Sequence, residues 1–252
     1  MTIDQDVITA QIRDLFDAAA VAGWNWDDAK ATKAKEALKA VMFEAQQNRC
    51  FYCRRRIKDM LGHSELDHIL PKDGRGRIPA RLVSNERSDR KNTVGYSRFT
   101  FEPLNLVLSC KPCNTAKGTY DSRSDRSIDA LEEYVSDDGN YYEWVHPFIH
   151  AYEDHIILLK GLIYQPAQGS INGDAVISAC KLASVAAVER MACEKKVKEA
   201  TKVKKAFILL LEESELHDWD YLVGLVCGQF PNESVARIRE IGESVRDFAG
   251  DD

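Results

Sequence analysis

The sequence predicts an α+β protein: a small metal-stapled ββα unit at residues 50–126, preceded by a helical segment at 1–49 and followed by a mainly helical region at 127–252. Three observations predict it. Two Cys-x-x-Cys hooks, Cys50-Phe51-Tyr52-Cys53 and Cys110-Lys111-Pro112-Cys113, supply four thiolates, the number a tetrahedral structural zinc takes. Between the hooks and just past them the pattern reads strand, loop, strand, helix. On either side, apolar residues recur at helical spacing.

In order along the chain, Asp4 and Asp6 are candidate caps for a first helix, in which Ile8, Ile12, Leu15 and Phe16 share a face. Gly23 breaks that pattern. A second helix is predicted from about Asn25-Trp26-Asp27-Asp28 through Leu38 and Met42 to Gln47, and no chemistry is assigned to either helix. Ser64 to Leu70 reads as a strand ended by Pro71, followed by a long Gly-, Arg-, Ser- and Asn-rich loop from Lys72 to about Ser97. Asn105-Leu106-Val107-Leu108 leads into the second hook, and a helix opens at Pro112 and Asn114 and runs through Lys117. The charged stretch from Asp121 to Asp138 reads as a linker or a helix. Short β segments are predicted around Ile156–Leu159 and Leu162–Tyr164, with Gly161 at a turn. A long helix from Ser184 carries Val185, Val188, Met191, Val197, Val203, Phe207 and Leu210 on a rough stripe, and a last helix covers Ser234–Phe248.

Composition sets the class. At 252 residues and 44% hydrophobic, the chain can bury a substantial core. No apolar run approaches the roughly 20 residues of a membrane span, and the start lacks the basic and apolar regions of a signal peptide. A cytoplasmic location is therefore expected, where clustered cysteines are metal ligands more often than disulfides. An odd total of 7 cysteines also fits a fully paired disulfide framework poorly. The net charge of −6 argues against a nucleic-acid binder until its distribution is read. Residues 50–126 hold 16 Lys and Arg against 9 Asp and Glu, a net +7, which leaves −13 on the remainder. A basic segment inside an acidic chain is the asymmetry expected when one part meets phosphate.

Positions 54–109, 56 residues in all, lie between the hooks, far more than an ordinary zinc ribbon encloses. Within and just after that interval stand Asp67-His68, Asn105, Asn114 and Lys117. Phosphodiester hydrolysis needs a base that works near neutral pH, which suits histidine. It also calls for a cation on the phosphate and leaving oxygen, and a carboxylate with an amide oxygen are hard ligands suited to magnesium. Asn114 and Lys117 are three apart, on one helix face, at a helix start that points N–H groups at an anion.

Taken together, Cys-x-x-Cys, Leu66-Asp67-His68-Ile69 with Pro71, and Asn105-Leu106-Val107 running into Cys-x-x-Cys-Asn114 and Lys117-Gly118 resemble the HNH (ββα-metal) endonuclease family. The resemblance covers about Cys50 to Gly118. It implies a structural zinc on Cys50, Cys53, Cys110 and Cys113, with His68 as the general base. It further implies Asp67 and Asn114 as ligands of one catalytic cation, Asn105 orienting the His68 ring, and Lys117 near the scissile phosphate. Asn114 stands where that family often has histidine, which points to magnesium or manganese rather than a catalytic zinc. The double-glycine turn common after the proline is altered to Gly74-Arg75-Gly76.

The helical flanks and the aromatic His146-Pro147 region are also similar to nucleases of Septu-type anti-phage defence, where an HNH protein works beside an ATPase subunit. That implies a defence effector acting on DNA, with RNA left open, and an acidic helical half serving a partner. Two alternatives stand beside it: a catalytically silent zinc-stapled nucleic-acid-binding module, and a stand-alone restriction-like nuclease. Arg54, Arg55, Arg56, Arg75, Arg77, Arg87 and Arg90 are expected on backbone phosphate. Glu65 reads equally as a neighbour of the site or a solvent-facing residue, and His63 as loop surface. His146, His150 and His155 read as structural, and Cys180, Cys193 and Cys227 as core.

Overall fold

The computed structural model describes residues 2–60, 62–160, 162–210 and 218–249. It comprises two compact units, the first ending at Ala186 and the second beginning at Ala187.

The first unit opens with α1 (Ala10–Val21) and α2 (Thr32–Ala45). Thr9, not Asp4 or Asp6, caps α1: its hydroxyl accepts from the Ile12 N–H, while Asp4 caps the single turn before it. The second helix starts later than expected. Asn25 and Asp28 bond each other in a turn, so Trp24 to Asp28 stay outside the helix. Ile12, Phe16 and Ala19 of α1 and Ala34, Leu38 and Met42 of α2 are buried, at i, i+3/i+4 and i+7/i+8 spacing.

Strand β1 (Ser64–His68) pairs antiparallel with β2 (Leu106–Cys110), with Leu66 opposite Leu108 and His68 opposite Leu106. Every residue of β2 is buried, so it is a central strand in packing although only one strand flanks it. Its free edge is closed by Gln46: the carboxamide accepts from Leu108 N–H and donates to the Leu108 and Arg49 carbonyls, at 2.8–2.9 Å. Between the strands lie the loop expected at 72–97 and the one-turn helix α3 (Pro79–Leu82). The loop is tied at its base by Gly76 N–H to Thr93 O and Tyr96 N–H to Pro71 O. Gly95, at φ +82°, sits so close to Asp73 that a Cβ would lie 2.5 Å from backbone carbon.

Helix α4 (Lys111–Lys117) follows β2 without a break and completes the ββα order. The stretch 121–138 is neither linker nor regular helix. Asp121 accepts from Tyr96 and Arg126, and Arg123 and Arg126 are buried with it. The boundary expected at residue 126 therefore falls inside a buried ionic network. The one-turn α5 (Tyr152–His155) leads into β3 (Ile156–Leu159), which pairs antiparallel with β4 (Ile163–Pro166), close to the expected β segments. Gly161 lies outside the described residues. Helix α6 (Ile171–Ala179) is capped by Ser170. One continuous core, from Ile3 through Phe51, Leu106 and Trp144 to Leu182, joins the segments expected as separate at 1–49 and 50–126 with the part of 127–252 up to Leu182.

Helix α7 (Leu182–Leu210) begins in the first unit, and its later turns join α8 (Trp219–Gln229) and α9 (Val235–Ala249) in the second. Val203, Phe207, Val226, Ile238 and Ile241 form that unit's core, with Phe207 stacked on Trp219 at 5.2 Å. Of the expected α7 stripe, Val203 and Phe207 are buried and Leu210 packs against them, whereas Val188, Met191 and Val197 are exposed. No described helix is long and apolar enough to cross a membrane.

Candidate active site

The first hook leaves α2 through Gln47 and Asn48, both at φ +55°, and folds back on itself. Cys50 N–H donates to Arg55 O and Arg54 N–H to Cys50 O, with Arg54 at φ +56°, which turns both thiols inward. The second hook is the last residue of β2 and the first turn of α4, where Pro112 needs no N–H partner. All four Sγ atoms lie within 4.8 Å of one another, and Cys53 and Cys110 are 3.7 Å apart. A tetrahedron of zinc–sulfur bonds of about 2.3 Å has edges of about 3.8 Å. All four cysteines are unpaired by disulfide and buried, and burial pushes the Cys50 thiol well up. Clustered buried thiolates need a cation, and this donor set fits a metal such as zinc. Arg55 adds a guanidinium 3.6 Å from Cys110 Sγ.

The side of β1 that faces α4 carries Glu65 and Asp67, two residues apart. Opposite them, three apart on the helix, stand Asn114 and Lys117, so strand and helix form two rungs. Asn114 Nδ2 donates to Glu65 Oε2 at 2.7 Å. Lys117 Nζ donates to Asp67 Oδ1 at 3.2 Å and to the His68 carbonyl at 2.5 Å. Tyr52, from inside the first hook, donates its hydroxyl to Asp67 Oδ2 at 2.8 Å. Asp67 is 5% exposed and Lys117 fully buried. Burial raises the Asp67 pKa, against the pull of Lys117 and Tyr52.

This arrangement corrects three expectations. Lys117 does not reach an open phosphate site, because its ammonium is consumed by Asp67 and a carbonyl. Both oxygens of Asp67 are claimed, and Asn114 turns its amide to Glu65. Asp67 and Asn114 therefore do not form a ready ligand pair. Among the described residues only the four cysteines form a group of three or more His, Cys, Asp or Glu ligand atoms this close. As arranged, the residues do not fit a catalytic magnesium or manganese. The reason is energetic: a buried carboxylate takes the nearest ammonium rather than stand uncompensated.

His68 points to the other side of β1. Its ring meets the Trp26 indole edge-on at 4.6 Å, and Nε2 lies 3.0 Å from the Thr100 carbonyl oxygen. A carbonyl only accepts, so Nε2 carries the proton and Nδ1 the lone pair. Nδ1 has no protein partner among the described residues. Burial, foremost, lowers the His68 pKa to about 3, so the ring is a neutral base at physiological pH. His68 as a whole is 7% exposed. Its neighbours Trp26 and Thr100 belong to the wall of a cleft of about 490 Å³, to which Trp24, Lys72, Arg98 and Phe101 also contribute.

Asn105 does not touch the ring. Its carboxamide accepts from Leu70 N–H and donates to the Leu70 and Phe99 carbonyls. It thus clamps the chain two residues past His68 to the residue before Thr100, and holds the ring only through that carbonyl.

The expected phosphate-binding arginines divide. Arg90 is fully buried, bonded to Glu143 and to the Asp121, Arg123 and Ser124 carbonyls. Arg87 pairs with Asp174 and Glu143. Both are structural. Arg54 lies over the Tyr152 ring, while Arg56, Arg75 and Arg77 are exposed. His146 is buried with Nε2 2.9 Å from the Tyr134 hydroxyl, His150 accepts from His146 N–H, and His155 bonds Ser170. His63 is exposed and Cys180 buried; Cys227 is half-buried, and the Cys193 side chain lies outside the described set. The residues missed by sequence reasoning are Tyr52, Gln46 and Trp26. Tyr52 had a signal in its place inside a hook, and Trp26 in Trp24-Asn25-Trp26 between two helices, but Gln46 had none.

No family model matches this sequence, and no solved structure matches it. It is similar to the Septu protein PtuB of Bacillus thuringiensis, 33% identical over 94 residues. The aligned part is 37% of this chain and spans 28% of that protein.

Proposed function

We propose that this chain is an endonuclease of prokaryotic anti-phage defence that hydrolyses DNA with His68 as general base. The observation that carries the reading is the His68 ring: tautomer fixed by Thr100, Nδ1 unclaimed, and placed at the end of β1 opposite the one that pairs with Cys110. In this reading Nδ1 takes a proton from water as the water oxygen bonds to phosphorus. The bond from phosphorus to one ester oxygen then breaks, that oxygen takes a proton from solvent water and leaves as an alcohol, and Nδ1 returns its proton to solvent. Exposed Arg56, Arg75 and Arg77 supply sequence-independent attraction to the backbone. Zinc on the four cysteines would hold the hook, and with it Tyr52, in place. A magnesium or manganese requirement comes from the family resemblance alone; the closed Asp67–Lys117 pair does not support it, and no step is routed through such a cation. The defence role draws on the partial likeness to the Septu protein, and so does the idea of an ATPase partner on the helical second half.

The test is nicking of supercoiled plasmid with magnesium or manganese added. His68→Ala should abolish nicking while zinc content and a cooperative melt are retained, at a midpoint lowered by the loss of the ring's Trp26 and Thr100 contacts. Equal nicking by parent and variant overturns the assignment. A second reading, a zinc-stapled nucleic-acid-binding module without catalysis, is favoured by the closed Asp67–Lys117 pair. It would be upheld by DNA binding with no cleavage under any divalent metal. A stand-alone nuclease is separated from a partnered one by whether the chain co-purifies with an ATPase.

A further inference from the structure

The cleft beside His68 is walled differently from the rest of the basic segment. Its aromatic surface comes from Trp24 and Trp26 in the short link between α1 and α2, with Phe101 opposite, 5.6 Å from the Trp26 ring. Both indoles are only half-buried, although large apolar side chains on a link of this kind gain by burial. The charged lining cancels: Lys72 and Arg98 against Asp27 and Asp73. Lys72 is bonded to Asp73 at 2.5 Å, and Arg98 donates to the Ala130 and Leu131 carbonyls at 2.7 Å. A cleft with aromatic faces, no net charge and cations already engaged is poorly suited to capture phosphate. It suits a flat, uncharged, hydrogen-bonding ring.

We infer that this cleft takes one unstacked base of the DNA strand, with Trp24 as the stacking platform and Trp26 bridging that base to His68. The substrate class is then single-stranded or locally unpaired DNA, because a base inside a duplex has no free face to offer. The inference rests on the nuclease reading for the class of ligand. It also makes a distinction that phosphate contacts cannot: stacking is insensitive to salt, whereas neutralised phosphates release counterions and weaken steeply with it.

The experiment measures affinity of the 252-residue, zinc-loaded chain for a short labelled oligothymidylate and for a duplex of the same length, by anisotropy, with no magnesium or manganese added. Trp24→Ala should lower single-strand affinity on the order of tenfold, by the same factor at low and raised salt, and leave duplex affinity unmoved. Trp24→Phe should recover most of the loss. An equal loss on duplex, or none on the single strand, overturns the inference. Should Trp24→Ala fail to fold, Trp24→Phe is compared with Trp24→Leu: stacking requires the phenyl ring to bind more tightly, and equal affinities overturn it. Cleavage is not read in this assay. Stacking without plasmid nicking counts against the nuclease reading alone, and nicking without stacking against this inference alone.

Discussion

The two sides of strand β1 are built from adjacent residues and have opposite characters. Towards α4, Asp67 is saturated, with one oxygen on Lys117, the other on Tyr52, and almost no exposure. On the other side, His68 has one nitrogen spent on Thr100 and one left over. The contrast teaches where capacity for chemistry resides: in the atom that folding leaves unclaimed, not in the residue with the more suggestive neighbours. The saturated side holds the fold, and on the unsaturated side the ring's neighbours Trp26 and Thr100 line the cleft.

That contrast can be broken most severely at the four-cysteine cluster. Cys110→Ser should lose the metal and lower the thermal midpoint by far more than any other single change, since metal affinity in such units is folding free energy. Because Tyr52 lies between Cys50 and Cys53, both sides of β1 should loosen together. A variant that retains the parental midpoint without zinc would separate them.

Next in size is Lys117→Ala, which leaves a buried carboxylate without its partner and should cost about 3–5 kcal/mol. Adding Asp67→Asn should recover a large part of that loss. If the pair is structural, the double variant melts near the parent in denaturant titration. If the single variant is already as stable as the parent, the saturated side is not what holds β1 to α4.

The smallest effect concerns protons. His68 and His146 are buried, and burial lowers each pKa to about 3, below the ordinary value of 6.5. A lowered histidine pKa means the unfolded chain binds protons that the folded chain refuses. Stability is therefore fully present above pH 6.5 and falls as the pH drops towards about 3. At pH 5 the loss is roughly 2 kcal/mol for each ring. Melting curves in excess zinc should show this decline, and His146→Gln should flatten it. A midpoint constant from pH 7 to pH 5 would mean that neither ring is sealed as described.

Much of this was legible along the chain. Cysteine pairs three apart put two thiols on one turn wherever they occur. The strand, loop, strand and helix between and after the hooks follow from composition and period, and β1, β2 and α4 lie close to where those signals put them. Boundaries fared worse where a distant partner set them: Thr9 took the cap expected of Asp4 or Asp6, and Asn25 with Asp28 held back the start of α2. Arg90 shows the same limit, since nothing in Arg87-Ser88-Asp89-Arg90 announces that its guanidinium will be buried on Glu143 and three carbonyls.

The sequence by itself determined the four-cysteine donor set and the order of the ββα unit. Each depends on residues a few positions apart, whose geometry is local and nearly independent of the rest. Only the tertiary structure decided that Lys117 would neutralise Asp67, that Gln46 would close the edge of β2, and that Trp26 would stand beside His68. Those pairings join segments about 40 to 60 residues apart. They are selected by the cost of leaving a buried polar atom unsatisfied, a quantity that does not exist until the chain has folded.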